Sequence, residues 1–414
     1  MRDLIQRLRG SLFIRDTATL TVGTAGAQLI TIAVMPLLSR LYSPAEFGVW
    51  AIFQAVSSIS ATFVTLRYET SILLPKNDED AFRLVWLSGL LTIGLGSLLV
   101  FIAWILPDSF KKILGFVAIE EYLPVSILAG ISTAILAIGN NWLNRGCAYG
   151  KMSMLRLAQS VALSGNSLLL GRYGFSDGLL ISQVFALLLT SLLMFWLLRN
   201  TIVSYSAHNI IALAKNYSHA PKYLLPTALL DIITLQLPIL LITAWFSSEM
   251  AGQFSMAWKI LALPAALIGT AAGQVFYQKI SKKYQDGKSI KKYYYKFSLV
   301  MLIVSLPMLI LISLYGESIF VYFLGKKWVV SGKISEILIF SSVIYFIFSP
   351  STSTFIVLRK ELVLLLFSIF QLSYRGLLFF IFNDILDYIK ILVIFEIINV
   401  LLIEATLIYF LNKK

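Results

Sequence analysis

The chain has 414 residues, of which 58% are apolar and 13% are charged, and its net charge is +13. Soluble globular chains usually carry about a quarter charged residues, and no soluble core of this length hides so much apolar surface. A lipid bilayer does, because lipid replaces the protein core as the apolar solvent. The composition therefore predicts an integral membrane protein and excludes a soluble enzyme.

Few residue types that commonly carry chemistry are present. The single cysteine, Cys147, excludes an internal disulfide and is typical of a packing residue. The two histidines, His208 and His219, fall in one predicted loop between helices, and no nucleotide-binding motif occurs. We therefore expect no metal site, no cofactor and no ATP-driven pump.

Apolar runs of about 20 residues, the length that crosses a bilayer as a helix, recur along the whole chain. The fifth run is the weakest, because Arg156 and several serines dilute it, so counts of eleven or thirteen stay open. The pattern predicts an all-α integral membrane protein with about 12 transmembrane helices. The predicted spans lie near residues 17–38, 47–74, 84–106, 122–142, 153–171, 177–198, 223–246, 250–276, 297–315, 333–357, 361–382 and 388–411.

The positive charges indicate how the chain lies in the membrane. Most of the 34 lysines and arginines fall on the side that holds both termini, and cytoplasmic loops carry such an excess. Both termini are therefore predicted to be cytoplasmic, as are the long loops at 199–222 and 277–296. Lysines alternate with tyrosines in the second loop, and juxtamembrane basic segments of this kind bind anionic lipids. We expect membrane lipids, and no nucleic acid, as its partners.

A polar linker and an internal repeat divide the chain into halves. The linker at 199–222 predicts two lobes of six helices each, at 1–205 and 206–414. Polar residues three and four positions apart share one face of the first span, and the same spacing recurs in the seventh. The turn after each of these spans repeats a serine and a glycine, so the copies form a parallel repeat. The matched positions are Thr24 and Thr227, Gln28 and Asp231, Thr31 and Thr234, Ser43 and Ser247, and Gly48 and Gly252.

The two polar faces predict either a water-filled cavity or contacts between helices. A polar stripe facing lipid is costly, so these faces are expected to point into the protein. Each threonine has the plainer alternative of bonding its own backbone or a neighbouring helix. Gln28 and Asp231 are more polar and favour the cavity.

Three of the cations within predicted spans are candidates for a site inside the membrane. Lys259 and Arg375 lie well inside the eighth and eleventh spans, whereas Arg67 lies toward the cytoplasmic end of the second, next to Glu69. A charge at mid-bilayer costs at least about 2.5 kcal/mol, so a partner or a cavity is expected. Arginine forks and lysine point charges both match phosphate, so these cations are the predicted substrate-binding residues of an anionic substrate. The alternatives are structural ion pairs or, for Arg67, snorkelling to the membrane interface.

Three of the acidic residues within predicted spans are also of interest, and they are Asp231, Glu396 and Glu404. They are candidates for binding a coupling ion, either a proton or sodium. Each is also a candidate partner for the cations. Glu396 and Glu404 share one side of the last helix and suit a contact with the neighbouring helix as well.

Stretches near the N-terminus resemble a known family. They are LSRLYSPAEFG at 38–48, LRYE at 66–69 followed by ILLP at 72–75, and the acidic loop KNDEDA at 76–81. These stretches are similar to those of bacterial O-antigen and polysaccharide (Wzx-like) flippases. That family is part of the superfamily of multidrug, oligosaccharidyl-lipid and polysaccharide exporters. The C-terminal half resembles it only in the number and layout of its spans.

The resemblance implies a MATE-like fold of two six-helix lobes around a central cavity lined by helices 1, 2, 7 and 8. It implies a flippase, not an enzyme, that moves an undecaprenyl-pyrophosphate-linked oligosaccharide for O-antigen or another surface polysaccharide across the bacterial inner membrane by alternating access. Polysaccharide polymerase machinery is then a candidate partner. Arg67 and Lys259 fall on helices 2 and 8, whereas Arg375 rests on the charge argument alone.

Other functions fit the sequence less well. A lipid II-type flippase is chemically close, and only the first-loop pattern in the sequence separates it from a polysaccharide flippase. A MATE-type exporter of small cations requires acids around its site, and the cavity predicted here is cationic. A membrane enzyme such as an O-antigen polymerase or ligase is expected to carry a large outer loop, whereas the outer loops here are short and lack histidine. A structural scaffold does not explain cations in the middle of the membrane.

Overall fold

The computed structural model describes residues 2–107, 119–199, 210–286, 289–358, 360–382 and 384–412. All regular secondary structure in these ranges is helical, which confirms the predicted all-α fold class. A helix satisfies its backbone hydrogen bonds internally, so it is the form that a chain this apolar adopts in lipid.

The helices before residue 217 include six long ones and a short one. A 3₁₀ segment at Tyr68–Leu73 follows the second helix, and a π-helical segment at Ala220–Leu224 follows the seventh. The helices are α1 (Arg2–Leu41), α2 (Pro44–Val64), α3 (Asp78–Ile105), α4 (Leu123–Arg145), α5 (Tyr149–Arg172), α6 (Gly178–Leu198) and α7 (Ile210–Asn216).

The remaining helices are interrupted more often. A π-helical turn at Ala265–Gly269 and 3₁₀ segments at Lys326–Trp328, Ser349–Thr352 and Leu378–Phe380 lie between or beside them. The helices are α8 (Leu225–Trp245), α9 (Ser248–Pro264), α10 (Thr270–Gln285), α11 (Lys291–Leu324), α12 (Val329–Phe348), α13 (Ser353–Val357), α14 (Glu361–Leu377) and α15 (Ile385–Asn412).

Eleven helical segments in the described part of the chain are long and apolar enough to cross a membrane. The protein is therefore a multi-pass membrane protein, as predicted. The fifth predicted span coincides with α5, which has 24 residues but is not among the eleven. Its serines and Arg156 lower its hydropathy, and the serines face other helices: Ser160, Ser164 and Ser167 are all buried.

The described residues form two compact units. Unit 1 comprises Met1–Tyr42 and Val49–Ile232, and unit 2 comprises Ser43–Gly48 and Ile233–Lys414. The predicted boundary between lobes at 205 and 206 lies outside the described residues, and the division into lobes of six helices stays a prediction. The described part of the 199–222 linker forms α7 and the π-helical segment, where Leu213 and Ala220 are buried within unit 1.

In unit 1, α1 packs against α5 through small residues. A methyl group added to Gly23 would lie 2.3 Å from Cβ of Ser153. The Ser153 hydroxyl donates to the carbonyl oxygen of Thr19 at 2.9 Å. Small residues let helix backbones approach closely, and in lipid this van der Waals packing holds helices together. A second core around Phe53 joins α2 to α4, α5 and α6.

In unit 2, α12 packs against both α11 and α9. Glycines at Gly316 and Gly332 allow the first contact, since a methyl group on Gly332 would lie 2.5 Å from Cα of Glu317. The second contact is polar: the buried Gln253 amide donates to the carbonyl oxygen of Lys327 at 2.7 Å and accepts from the backbone N–H of Ser331 at 2.8 Å. These bonds fix the start of α12 relative to α9.

The second predicted span, 47–74, is wrong in its length. The helix ends at Val64, and Leu66 and Arg67 adopt left-handed backbone conformations with φ of 47° and 63°. The residues that follow stay apolar because they fill a core: Ile72 is fully buried against a cluster that includes Leu84. Hydropathy alone does not separate a residue that faces lipid from one that faces protein.

The predicted loop at 277–296 is wrong over most of its length. α10 continues to Gln285 and α11 begins at Lys291. Within this stretch Ile280 and Tyr294 are buried in a common core, while most of the described lysines are exposed. An apolar stripe on an otherwise basic helix lets it extend past the apolar span.

Candidate functional site

Arg375 of α14 forms an ion pair inside unit 2. Its Nη2 donates to Oε1 of Glu396 on α15 at 2.6 Å, and its Nη1 donates to the carbonyl oxygen of Thr234 on α8 at 2.5 Å. Arg375 is 3% exposed and Glu396 is fully buried. A charge that has lost its hydration requires such partners. The structure thus contains the ion pair that the sequence left as an alternative, and a role for Arg375 in binding substrate stays a prediction.

Further polar groups lie close to this ion pair. Gln371 donates to the hydroxyl of Tyr345 at 2.5 Å, and Tyr388 is fully buried. In the described chain, Oε2 of Glu396 and Oδ1 of Asn399 are buried without a hydrogen-bond partner. These tyrosines could not be predicted from the sequence, because tyrosines occur throughout the apolar spans and nothing local distinguishes these.

Lys259 lies on α9 and is half-buried. The helix continues to Pro264 and then widens into the π-helical turn at Ala265–Gly269. π-helical turns are rare and occur often at functional sites. This turn was not predicted, although Pro264 is a sequence signal for an interruption of the helix. The predicted role of Lys259 in binding an anion stays a prediction.

Arg67 lies just beyond the end of α2, in unit 1. Its Nη1 is 3.1 Å from Oε1 of Glu69, whose side chain is 4% exposed, whereas a third of the Arg67 side chain is exposed. The left-handed backbone turns the chain at this point, so the cation lies at a helix end and not within a helix. This agrees with its predicted place near the end of the span, and its binding role stays a prediction.

The polar face of α1 lies against α5. The guanidinium of Arg156 on α5 donates to the hydroxyl of Thr24. The hydroxyl of Thr31 lies 3.0 Å from that of Ser160, one turn further along α5. Oε1 of Gln28, between the two threonines, is buried without a hydrogen-bond partner. Among the side chains that the structure describes, no carboxylate pairs with Arg156, which makes it a fourth cation of interest. From the sequence, Arg156 was noted as a residue that weakens the fifth span and not as a site residue.

The residues of α8 that match the polar face of α1 differ from one another in their exposure. The hydroxyl of Thr227 is exposed and donates to carbonyl oxygens of its own helix turn, those of Tyr223 and Leu224, at 3.0 Å. Asp231 is exposed, whereas Thr234 is buried. Thr227 thus follows the backbone-bonding alternative, and its place in a cavity, like that of Asp231 and Thr234, stays a prediction.

Glu404 of α15 is the third acidic candidate. It is 4% exposed and receives a hydrogen bond from the hydroxyl of Tyr294, while the hydroxyl of Ser351 lies 3.4 Å from its other oxygen. Within the described ranges no three histidine, cysteine or acidic side chains come close enough to hold a metal ion. A role of Glu404, Glu396 or Asp231 in ion coupling stays a prediction.

The two serines of the repeated turn both cap a helix. Ser43 and Glu46 form a capping box at the start of α2, with the Glu46 carboxylate 2.5 Å from the Ser43 N–H. Ser247 accepts from the N–H of Met250 at the start of α9. Both helix starts belong to unit 2 and touch at two glycines. A methyl group on Gly48 would lie 1.7 Å from the carbonyl oxygen of Ser248.

The contact is reciprocal. A methyl group on Gly252 would lie 1.8 Å from the carbonyl oxygen of Pro44. Phe47 packs edge-on against Trp328, with ring centroids 5.1 Å apart. Only glycine fits either position, because any side chain would overlap backbone atoms of the other helix.

Solved membrane transporters share this fold. The lipid II flippase MurJ, in an inward closed conformation, matches with a TM-score of 0.70 and 15% identity over 92% of this chain and 86% of that chain. An inward-facing multidrug resistance MATE transporter of the MOP superfamily matches with a TM-score of 0.59 and 15% identity, over 95% of this chain and 94% of that chain. A MOP superfamily transporter from Pyrococcus furiosus matches with a TM-score of 0.59 and 14% identity, over 97% of this chain and 96% of that chain. The protein therefore has the all-α fold of MurJ and MATE transporters.

A family model described as polysaccharide biosynthesis protein matches residues 37–333. The match covers more than half of the chain, so this protein belongs to the polysaccharide biosynthesis protein family. The resemblance drawn from the N-terminal stretches is thereby confirmed. No curated protein sequence matches the chain significantly.

Proposed function

We propose that the protein is a flippase that moves an undecaprenyl-pyrophosphate-linked oligosaccharide from the cytoplasmic to the periplasmic leaflet of the bacterial inner membrane. The observation that carries this proposal is that a member of a polysaccharide biosynthesis family has a transporter fold. A polysaccharide precursor built on a lipid in the cytoplasm must cross the membrane before assembly outside. The substrate is an O-antigen or other surface polysaccharide repeat unit, and a polysaccharide polymerase is the partner that would use it.

Cations within the membrane region support an anionic substrate. Lys259 and Arg67, with Arg156 beside the polar face of α1, are the candidates for holding the pyrophosphate. Arginine forks match phosphate oxygens, and lysine supplies a compact charge. Arg375 is paired with Glu396. It would contribute to binding the pyrophosphate either after this pair opens or as a fixed charge that attracts the anion.

The sugars and the lipid tail follow different paths in this proposal. Hydroxyl and amide groups such as Gln28 offer hydrogen bonds to sugar hydroxyls, while the polyprenyl tail stays in the bilayer. Alternating access of two lobes, with both termini cytoplasmic, exposes the headgroup to each side in turn. A coupling ion, a proton or sodium, supplies direction.

The test is leaflet transfer in proteoliposomes. The probe is a polyprenyl-pyrophosphate-linked disaccharide, and the readout is the accessibility of its sugars to an added lectin. We expect transfer by the intact protein, a large loss in Lys259→Ala, and partial retention in Lys259→Arg. Lys390→Ala is the matched control, because Lys390 is exposed and pairs with Asp387 on its own helix.

Each outcome has a definite meaning. Equal transfer by the intact protein and a folded Lys259→Ala variant would leave the flippase and remove Lys259 from the site. Transfer of a lipid II analogue in preference to the disaccharide probe would favour a lipid II-type flippase. Transport of a small organic cation without lipid transfer would replace the proposal with a MATE-type exporter.

A further inference from the structure

Glu404 is a carboxyl group buried in the apolar core of unit 2. It lies on α15 beside Leu407, where this helix shares a core with α10, the start of α11 and α13. Residues of that core include Phe276 and Phe355, both fully buried. A carboxylate in such surroundings is costly unless a cation or several hydrogen-bond donors compensate it.

The hydrogen-bond partners of Glu404 suit its neutral form. The hydroxyl of Tyr294 donates to Oε2, and the hydroxyl of Ser351 lies 3.4 Å from Oε1. The same serine is closer to the carbonyl oxygen of Phe348, at 2.7 Å, and a hydroxyl has one hydrogen to donate. If Oε1 carries a proton, it donates to Ser351, which donates to Phe348. The hydroxyl hydrogens of Tyr294, protonated Glu404 and Ser351 then each have an acceptor.

The neighbouring charged cluster does not compensate Glu404. Arg375 and Tyr374 of α14 lie at the cluster around Glu396, more than two helical turns away along α15. Tyr388 belongs to the same cluster. In the described residues, no lysine or arginine lies within ion-pair distance of Glu404.

The other titratable side chains on the surrounding helices are also turned elsewhere. Lys279 lies over the ring of Tyr293 and Lys360 over the ring of Phe410, at 5.7 and 5.4 Å. Lys333 pairs with an acid of α11 at 3.9 Å. The remaining described ones are exposed or half-buried, and they are Tyr277, Lys282, Lys283, Tyr284, Asp286, Lys291, Lys292, Tyr295, Lys296, Tyr315, Glu317, Tyr322, Glu336, Tyr345, Asp384, Asp387, Lys390 and Tyr409.

We propose that Glu404, with Tyr294 and Ser351, is a proton-binding site that couples lipid transfer to the proton gradient. This inference rests on the proposed function. In the conformation described here Glu404 holds a proton within the closed group of three side chains. When the group opens to water on the cytoplasmic side, the carboxyl gives its proton to a water molecule there. When the group opens on the periplasmic side after the lipid has left, the carboxylate takes a proton from water on that side. Protons thus move inward as lipid moves outward, and no sodium ion is required.

The protonation state is tested on the intact protein. Dicyclohexylcarbodiimide, an apolar reagent, modifies protonated carboxyl groups, and mass spectrometry locates the modified residue. In liposomes of phosphatidylethanolamine and phosphatidylglycerol at pH 7, we expect modification at Glu404 and none at Glu396, which is paired with Arg375. Absence of modification at Glu404 at both pH 5 and pH 8 would overturn the proton site. This test needs no substrate, so it stands even if the proposed function fails.

The coupling is tested with Glu404→Gln, an amide that resembles the protonated acid and keeps an acceptor for Tyr294. For one proton per lipid, a gradient of about one pH unit shifts the steady-state leaflet ratio about tenfold in the intact protein. The variant should transfer lipid down its own gradient and ignore the proton gradient. A variant that responds like the intact protein, or an intact protein driven by sodium alone, would overturn the inference. Absence of any lipid transfer by the intact protein would instead refute the proposed function.

Discussion

Glu396 and Glu404 are two buried carboxyl groups on one helix, α15, yet their surroundings differ. Glu396 meets a guanidinium from α14, whereas the polar partners of Glu404 among the described residues are the hydroxyls of Tyr294 and Ser351. Both lie in equally apolar stretches of sequence. The chemistry of a carboxyl group buried in the membrane therefore depends on which side chains the neighbouring helices place beside it. In one case a fixed cation balances the charge, and in the other, we infer, a mobile proton does.

The largest expected effect comes from removing the cation. Arg375→Leu leaves Glu396 buried and unpaired, so we expect a loss of about 3–5 kcal/mol in the free energy of unfolding. Denaturant titration of the purified protein in detergent measures it. The double variant Arg375→Leu with Glu396→Leu should recover most of the loss, because no buried charge then remains. A single variant as stable as the intact protein would show that the pair contributes little.

Two matched variants, each replacing one of the two glutamates with glutamine, test this difference directly. Glu396→Gln leaves the buried charge of Arg375 without its partner, so we expect a loss of about 3 kcal/mol. Glu404→Gln replaces a neutral group with another neutral group, so the change should stay within about 1 kcal/mol. The same titration checks both. Equal losses in the two variants would contradict the difference drawn between the two sites.

A smaller effect is expected from the hydroxyl that binds Glu404. Tyr294→Phe removes one donor and keeps the buried ring, so a loss of about 0.5–1.5 kcal/mol is expected. Its neighbour Tyr295 is 43% exposed, and Tyr295→Phe should change stability by less than about 0.5 kcal/mol. Thermal unfolding of both variants under identical conditions provides the measurement. No difference between them would mean that the Tyr294 hydroxyl bonds water equally well.

The smallest effect tests whether a polar group needs a partner from another helix. Within the part of the chain that the structure describes, the hydroxyl of Thr227 bonds to carbonyl oxygens of its own helix turn and to no other helix. Thr227→Val should therefore change stability by less than about 0.5 kcal/mol. The hydroxyl of Thr31 also meets Ser160 of α5, so Thr31→Val should cost about 1 kcal/mol. A larger loss in Thr227→Val would point to a contact outside its own helix.

The helical spans were predictable because hydropathy is a local property. Each predicted span falls on a helix, and even the weak fifth one coincides with α5. The errors arise where an apolar residue faces protein and not lipid, as at Ile72, or where a basic helix keeps an apolar stripe, as at Ile280. In both cases the neighbour that decides the outcome is distant in sequence.

The candidate site was predictable only as a set of residues. The positions of Lys259, Arg375 and Glu404 stand out because a charge in an apolar run is rare. The pairing of Arg375 with Glu396, and its bond to the backbone of Thr234, depends on how three helices meet. For the same reason Arg156 was not predicted to be a site residue, since its contact with Thr24 joins residues more than a hundred positions apart.

The glycine contact between the starts of α2 and α9 has a consequence of its own. Each glycine directs a Cα–H group at a carbonyl oxygen of the other helix, a weak attraction that contains no ionisable atom. Its strength therefore does not change with acidity or with salt, unlike the carboxyl sites elsewhere in unit 2. The two positions also constrain each other over evolutionary time. Neither position can gain a side chain unless the facing backbone first moves away.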